Sequence, residues 1–146
     1  MDLPVSRAIR HAHHTAESVT LSYEDRFLRR KVLLTDGGHR FLVDLEHTTS
    51  VNIGDAFELD AGRLISVRAA SEKLLEITGP DLTRLAWHIG NRHTPCQIEP
   101  ARLLIQADHV LRDMLERLGA PLRDVVEPFT PEGGAYGAGR THGHAH

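Results

Sequence analysis

Between residues 71 and 126 the chain follows the order strand, helix, strand, strand, helix, strand, and this order limits the fold more than any other feature. Lys73–Thr78 reads as a strand. Gly79-Pro80-Asp81 then opens a helix, with proline tolerated in a first turn and aspartate favourable beside the positive end of the helix dipole. Leu82, Leu85, Ala86 and Ile89 recur at helical spacing, and Gly90 follows as the expected C-terminal stop. Gln97–Ile98 and Leu103–Gln106 are short strands on either side of Glu99-Pro100-Ala101. Asp108 caps a second helix whose apolar stripe is Val110, Leu111, Met114, Leu115 and Leu118, and Gly119 ends it. Leu122–Val126 is the last strand. The expectation is a ferredoxin-like βαββαβ domain.

The first half lacks helical periodicity. Lys31-Val32-Leu33-Leu34 and Arg40-Phe41-Leu42-Val43 flank Asp36-Gly37-Gly38, a turn that supplies the positive φ angles of a hairpin. Gly54-Asp55 and Ala61-Gly62 punctuate further strands at Ala56–Leu59 and Leu64–Arg68. The expected class is therefore α+β. A small antiparallel β domain over residues 1–70, expected to bind a partner or peptide, precedes the ferredoxin-like domain over 71–128. Residues 129–146, rich in glycine and ending in histidines, read as a flexible tail.

Composition narrows the function. Hydrophobic residues make up 40% and charged residues 25%, with a formal net charge of −3 and both signs interspersed, which does not suit a nucleic-acid partner. One cysteine, Cys96, excludes an internal disulfide framework and fits a reducing compartment. The N-terminus shows no secretory pattern and no stretch is long enough to span a membrane, so a cytoplasmic place is expected. Histidine is the anomaly: 11 of 146 residues, grouped in His11-Ala12-His13-His14 and His142-Gly143-His144-Ala145-His146.

Imidazole nitrogens are good ligands for nickel, copper and zinc, and a single cysteine rules out a thiolate-rich site. His142, His144 and His146 are candidate ligands, interrupted by Gly143 and Ala145 where a purification tag is an unbroken run. His93 lies in the loop after the first helix of the second half. There it stands either as an ordinary surface group or as a rigid ligand duplicated across a two-fold axis. His109, in the first turn of the second helix, is a candidate auxiliary ligand or a solvated residue. His88 reads as a packing or partner contact, and His11, His13 and His14 as a loop or a weak second site. Cys96 is expected to be partly buried, and Asp36-Gly37-Gly38-His39 to be a turn.

Residues Trp87-His88-Ile89-Gly90-Asn91-Arg92-His93-Thr94-Pro95, then Ala107-Asp108-His109-Val110-Leu111-Arg112-Asp113-Met114-Leu115, then Pro128-Phe129-Thr130-Pro131-Glu132-Gly133-Gly134-Ala135-Tyr136-Gly137 and the histidine-rich end form a specific series. In it the chain resembles the UreE family of urease accessory proteins, which are nickel metallochaperones. The resemblance implies a homodimer with nickel at its interface, held by His93 of both chains and by His142, His144 and His146. It implies delivery of Ni2+ to apo-urease in company with the urease accessory GTPase UreG, with Zn2+ or Cu2+ as competitors. Family members often carry a histidine two positions before the one matching His109, where this chain has Ala107.

Two rival readings remain. One is a passive metal buffer. The other is a metal-dependent hydrolase using His93 and His109, for which the chain offers no H-E-x-x-H, G-x-S-x-G or P-loop motif. The expectation is a carrier without catalytic residues.

Overall fold

A computed structural model describes residues 2–12 and 14–133. The chain divides into two compact units, Met1–Ala70 and Ser71–His146.

The first unit holds strands β1 (Val5–Ser6), β2 (Ala8–His11), β3 (Glu17–Leu21), β4 (Phe27–Leu34), β5 (Arg40–Ser50), β6 (Asp55–Glu58) and β7 (Leu64–Ala69). They form a three-stranded sheet ordered β1-β5-β4 and a four-stranded sheet ordered β2-β6-β7-β3. Phe41, Val43 and Leu45 of β5 alternate inward and share one core with Val19, Phe57, Ile65 and Val67 of the other sheet. The rings of Phe41 and Phe57 meet at 5.7 Å between centroids. The hairpin between β4 and β5 turns as expected, closed by the Thr35 amide on the His39 carbonyl at 2.8 Å, with Gly38 at φ 91°. The sheets are mixed, however, not purely antiparallel: β1 runs parallel to β5, and β3 parallel to β7. Hairpin signals join neighbours in sequence, whereas Val5 pairs with Leu42 and Val19 with Val67, too distant for any turn signal.

The second unit is β8 (Ser71–Ile77), α1 (Leu82–Asn91), β9 (Gln97–Ile98), β10 (Leu103–Gln106), α2 (His109–Arg117) and β11 (Leu122–Pro128), the ferredoxin-like order. Its sheet is ordered β11-β8-β10-β9 with every pair antiparallel. Leu75 and Ile77 of β8 and Leu103 and Ile105 of β10 meet Leu85, Ile89, Leu111 and Leu115 of the two helices in one buried cluster. Each such side chain contributes about 1.5–3 kcal/mol by leaving water. Asp108 caps α2, its carboxylate accepting from the Val110 amide at 2.9 Å. Val110, expected in the buried stripe, is half exposed: Leu111 in the same first turn and Leu115 one turn on fill the core, and Val110 lies about 100° round the helix from Leu111. Phe129 is wholly buried, and the amides of Thr130 and Glu132 are bonded to Gln97 and Cys96, so residues 129–132 belong to the folded unit, contrary to a loose tail starting at 129.

The face of this sheet away from the helices is laced by Arg102. Its guanidinium donates to Glu76 at 2.9 Å, to Glu127 at 2.7 and 2.8 Å, and to Glu99 at 3.0 Å, and Arg123 reaches Glu76 at 3.1 Å. The hydrogen bond from Arg102 holds the Glu76 carboxyl below the ordinary 4.5 against the opposing effect of its burial, and Arg123 adds to the lowering. Arg102 lowers Glu127 in the same way. A depressed native carboxyl adds stability that is present above the ordinary value and is lost as pH falls through the lower native one. Arg102→Met should therefore lower the thermal midpoint by about 5–10 °C at neutral pH, since it strands carboxylates at the sheet. Calorimetry between about pH 7 and pH 3 should show this deficit shrinking as the acids protonate; a deficit independent of pH would mean the network adds nothing electrostatic.

Candidate metal centre

Helix α1 runs through Gly90 to Asn91, so Gly90 is not its stop. A Cβ placed on Gly90 would meet nothing within 4 Å, and the left-handed position expected there falls three residues later, on His93 at φ 57°. Among the described residues His93 is the one non-glycine residue with positive φ. Three amides wind the chain off the helix: Arg92 to the Ile89 carbonyl at 3.1 Å, His93 to Gly90 at 2.9 Å and Thr94 to Ile89 at 3.4 Å. Ile89 is itself wholly buried, which fixes these carbonyls in space. Arg92 Nε donates to Met114 Sδ at 3.1 Å and ties the loop to α2. The imidazole of His93 is thus carried by a short, pinned loop and is half-buried.

The other predicted residues are placed differently. His109 is the first residue of α2 and is exposed. His88 is half-buried against the exposed Trp87, their rings edge to face at 5.1 Å. His11 ends β2 with Nδ1 at 3.1 Å from Asp55. His39 lies in the β4–β5 turn, 3.8 Å from Glu17, beside a cavity of about 610 Å³ also lined by Phe41 and Arg63. Cys96 is partly buried, and burial, with Glu132 nearby, pushes its thiol up to about 11, so it is not poised to ionise. His13, His142, His144 and His146 lie outside the described residues. Among the described residues no three His, Cys, Asp or Glu side chains converge to hold a metal ion. The contacts of Arg92 with Met114 and of Thr130 with Gln97 carried no signal in the sequence, being long-range.

Comparison with known families matches residues 3–70 to the N-terminal domain of the UreE urease accessory protein and residues 72–146 to its C-terminal domain. The chain belongs to the UreE family. It is similar to the urease accessory protein UreE of Ruegeria pomeroyi, 70% identical with all of both chains covered. It is also similar to the UreE of Rhodobacter capsulatus, 60% identical over 90% of this chain and 83% of the relative. A third, from Ruegeria sp. strain TM1040, is 62% identical over 90% of this chain and 77% of the relative. Family membership gives the protein a role in urease maturation, an accessory and not a catalytic one by name. No helix among the described residues is long and apolar enough to cross a membrane.

A left-handed backbone costs an L-residue roughly 1–2 kcal/mol, of which glycine returns about 0.5–1 as unfolded-state entropy. His93→Gly should therefore raise the thermal midpoint of the metal-free chain by about 2–5 °C. Calorimetry of the two proteins decides the point, and a lowered midpoint would show that the imidazole contributes more to packing than the backbone costs.

Proposed function

We propose that this UreE-family protein is a cytoplasmic nickel carrier that loads apo-urease, acting as a homodimer whose two His93 imidazoles share one ion. The observation that carries the reading is His93 itself. A histidine on a backbone position that favours glycine, at the end of a helix clamped to the core, is a rigid donor, and strained positions of this kind gather at functional sites. One imidazole is too few, because metals of this class take about four or more donors and no other described cluster supplies them.

Two features support a second copy of the chain as one source of donors. Trp87 on α1 is 63% exposed, and Gly90, one turn on, leaves open space for close approach by another backbone. His142, His144 and His146 are proposed as the remaining ligands and His109 as an auxiliary one. Ordering a terminal segment costs about 1–2 kcal/mol per residue, so the ligands it brings hold the ion less tightly than rigid ones would. A carrier needs such a site, from which a receiving protein can draw the metal. Zn2+ and Cu2+ compete on chemical grounds alone, so selection for nickel falls to supply and to partners. The proposed partners are apo-urease and the GTPase UreG, with residues 1–70 as the candidate contact.

His93→Ala should leave a folded protein and weaken nickel binding by at least the 10–100-fold typical of losing even an outer-shell partner. Ending the chain after Gly139 should lower the number or affinity of bound ions without altering the fold. Calorimetry with nickel, joined to mass measurement of the complex, reads both. Unchanged nickel binding in the two variants would discard these ligands, and a wild-type protein that stays monomeric with nickel would discard the shared ion. Transfer of bound nickel to apo-urease separates a carrier from a passive buffer.

A further inference from the structure

The backbone bonds that wind the chain off α1 all reach back only to its last turn: Arg92 and Thr94 donate to Ile89, and His93 to Gly90. They set the shape of the turn but not its direction relative to the rest of the unit. Downstream the loop is short and stiff. His93 is left-handed at φ 57°, Thr94 precedes a proline and so avoids the helical region, and the ring of Pro95 fixes its own φ. The chain is held again at Cys96, whose carbonyl accepts the Glu132 amide at 2.9 Å. Upstream, the tie to a second element is the side chain of Arg92. Its Nε donates to Met114 Sδ at 3.1 Å, a contact between residues 22 apart in sequence that joins the end of α1 to α2. Met114 is half-buried and packs on the core that Leu111 and Leu115 fill, so the acceptor is itself held in place. A thioether is a weak, uncharged acceptor, and the bond fixes Arg92 without neutralising it.

We propose that Arg92 is a positioning residue for the His93 imidazole, latched on the Met114 thioether so that the left-handed turn presents the ring in one direction. The inference rests on the reading of His93 as a nickel ligand and adds to it the group that aims the ring. A strained backbone position persists only where its surroundings over-determine it. Here the local amides supply one constraint, and the bond across to α2 supplies a second, independent one. The tolerance of a metal site makes the second constraint matter. Ligands have to be held within about 0.5 Å of the productive geometry, whereas a loosely held segment wanders by about 1.5 Å. A tie that narrows the range of the loop is therefore read out directly as affinity, although neither Arg92 nor Met114 touches the ion.

Nickel calorimetry on the full chain tests this with Met114→Leu, which keeps the volume and helix propensity of the side chain but removes the acceptor. The expected result is affinity about three- to tenfold weaker, in the lower part of the range for coupled residues. Met114→Gln, uncharged and of similar length with a carbonyl acceptor, should restore it. In an Arg92→Leu background Met114→Leu should add nothing further, since the bond is already gone. In the metal-free protein, Met114→Leu should speed hydrogen exchange at the His93 and Thr94 amides and leave the Ile105 amide of β10 unchanged. Exchange that quickens equally at Ile105, or nickel binding that Met114→Gln fails to restore, would mean that Met114 acts through packing and would overturn the latch. Nickel binding weakened by His93→Ala but unaltered by Met114→Leu would overturn the latch and leave the ligand standing. Binding unaltered by His93→Ala would remove the ligand and the latch together.

Discussion

The seating of α1 on the sheet is the contact on which the rest of the second unit turns. Leu85 and Ile89 are buried against Leu75, Ile77, Leu103 and Ile105, and α2 closes the same core with Leu111 and Leu115. That burial holds the last turn of α1, whose carbonyls at Ile89 and Gly90 receive the amides of Arg92, His93 and Thr94. The left-handed backbone of His93 is sustained by this arrangement, since an isolated chain would relax to a cheaper conformation. Packing energy is converted into the fixed position of one imidazole.

A single fixed imidazole suits a protein that transfers metal better than one that keeps it. An enzyme site or a structural site gathers its ligands from one rigid scaffold, and the described residues hold no such set. In the proposed reading the remaining donors would come from outside the scaffold, where a receiving protein could compete for them. The other side of the sheet is built differently: there Arg102 and Arg123 hold Glu76 and Glu127 in a network of ion pairs.

How much of this was legible varies with the range of the interaction. The periodicity of Leu82, Leu85, Ala86 and Ile89, and the Asp108 cap, marked both helices because those signals lie within a turn or two of the residues they order. The hairpin at Asp36-Gly37-Gly38 was legible for the same reason. The parallel partners of β1 and β3 were not, because Val5 meets Leu42 and Leu21 meets Ala69 with no local pattern to announce it. Gly90 misled: glycine is the usual helix stop, yet buried Ile89 carries the helix past it and places the left-handed turn on His93. Val110 misled too, since helical spacing marks an apolar stripe but not its width: Leu111 and Leu115 fill the core and Val110 falls on the flank. Glycine content beyond Gly133 hid the folding-back of Phe129–Glu132, which depends on Gln97 and Cys96 far away in sequence.

From the amino-acid order alone came the α+β class, the βαββαβ succession and the metal chemistry implied by clustered imidazoles, because periodicity, capping and ligand type are properties of residues and their near neighbours. Tertiary structure alone decided which residue bears the left-handed turn, which strands pair in parallel, and where the chain lies after β11. These are settled by burial and by hydrogen bonds between residues distant in the chain, whose free energies exist only once the sheets have closed.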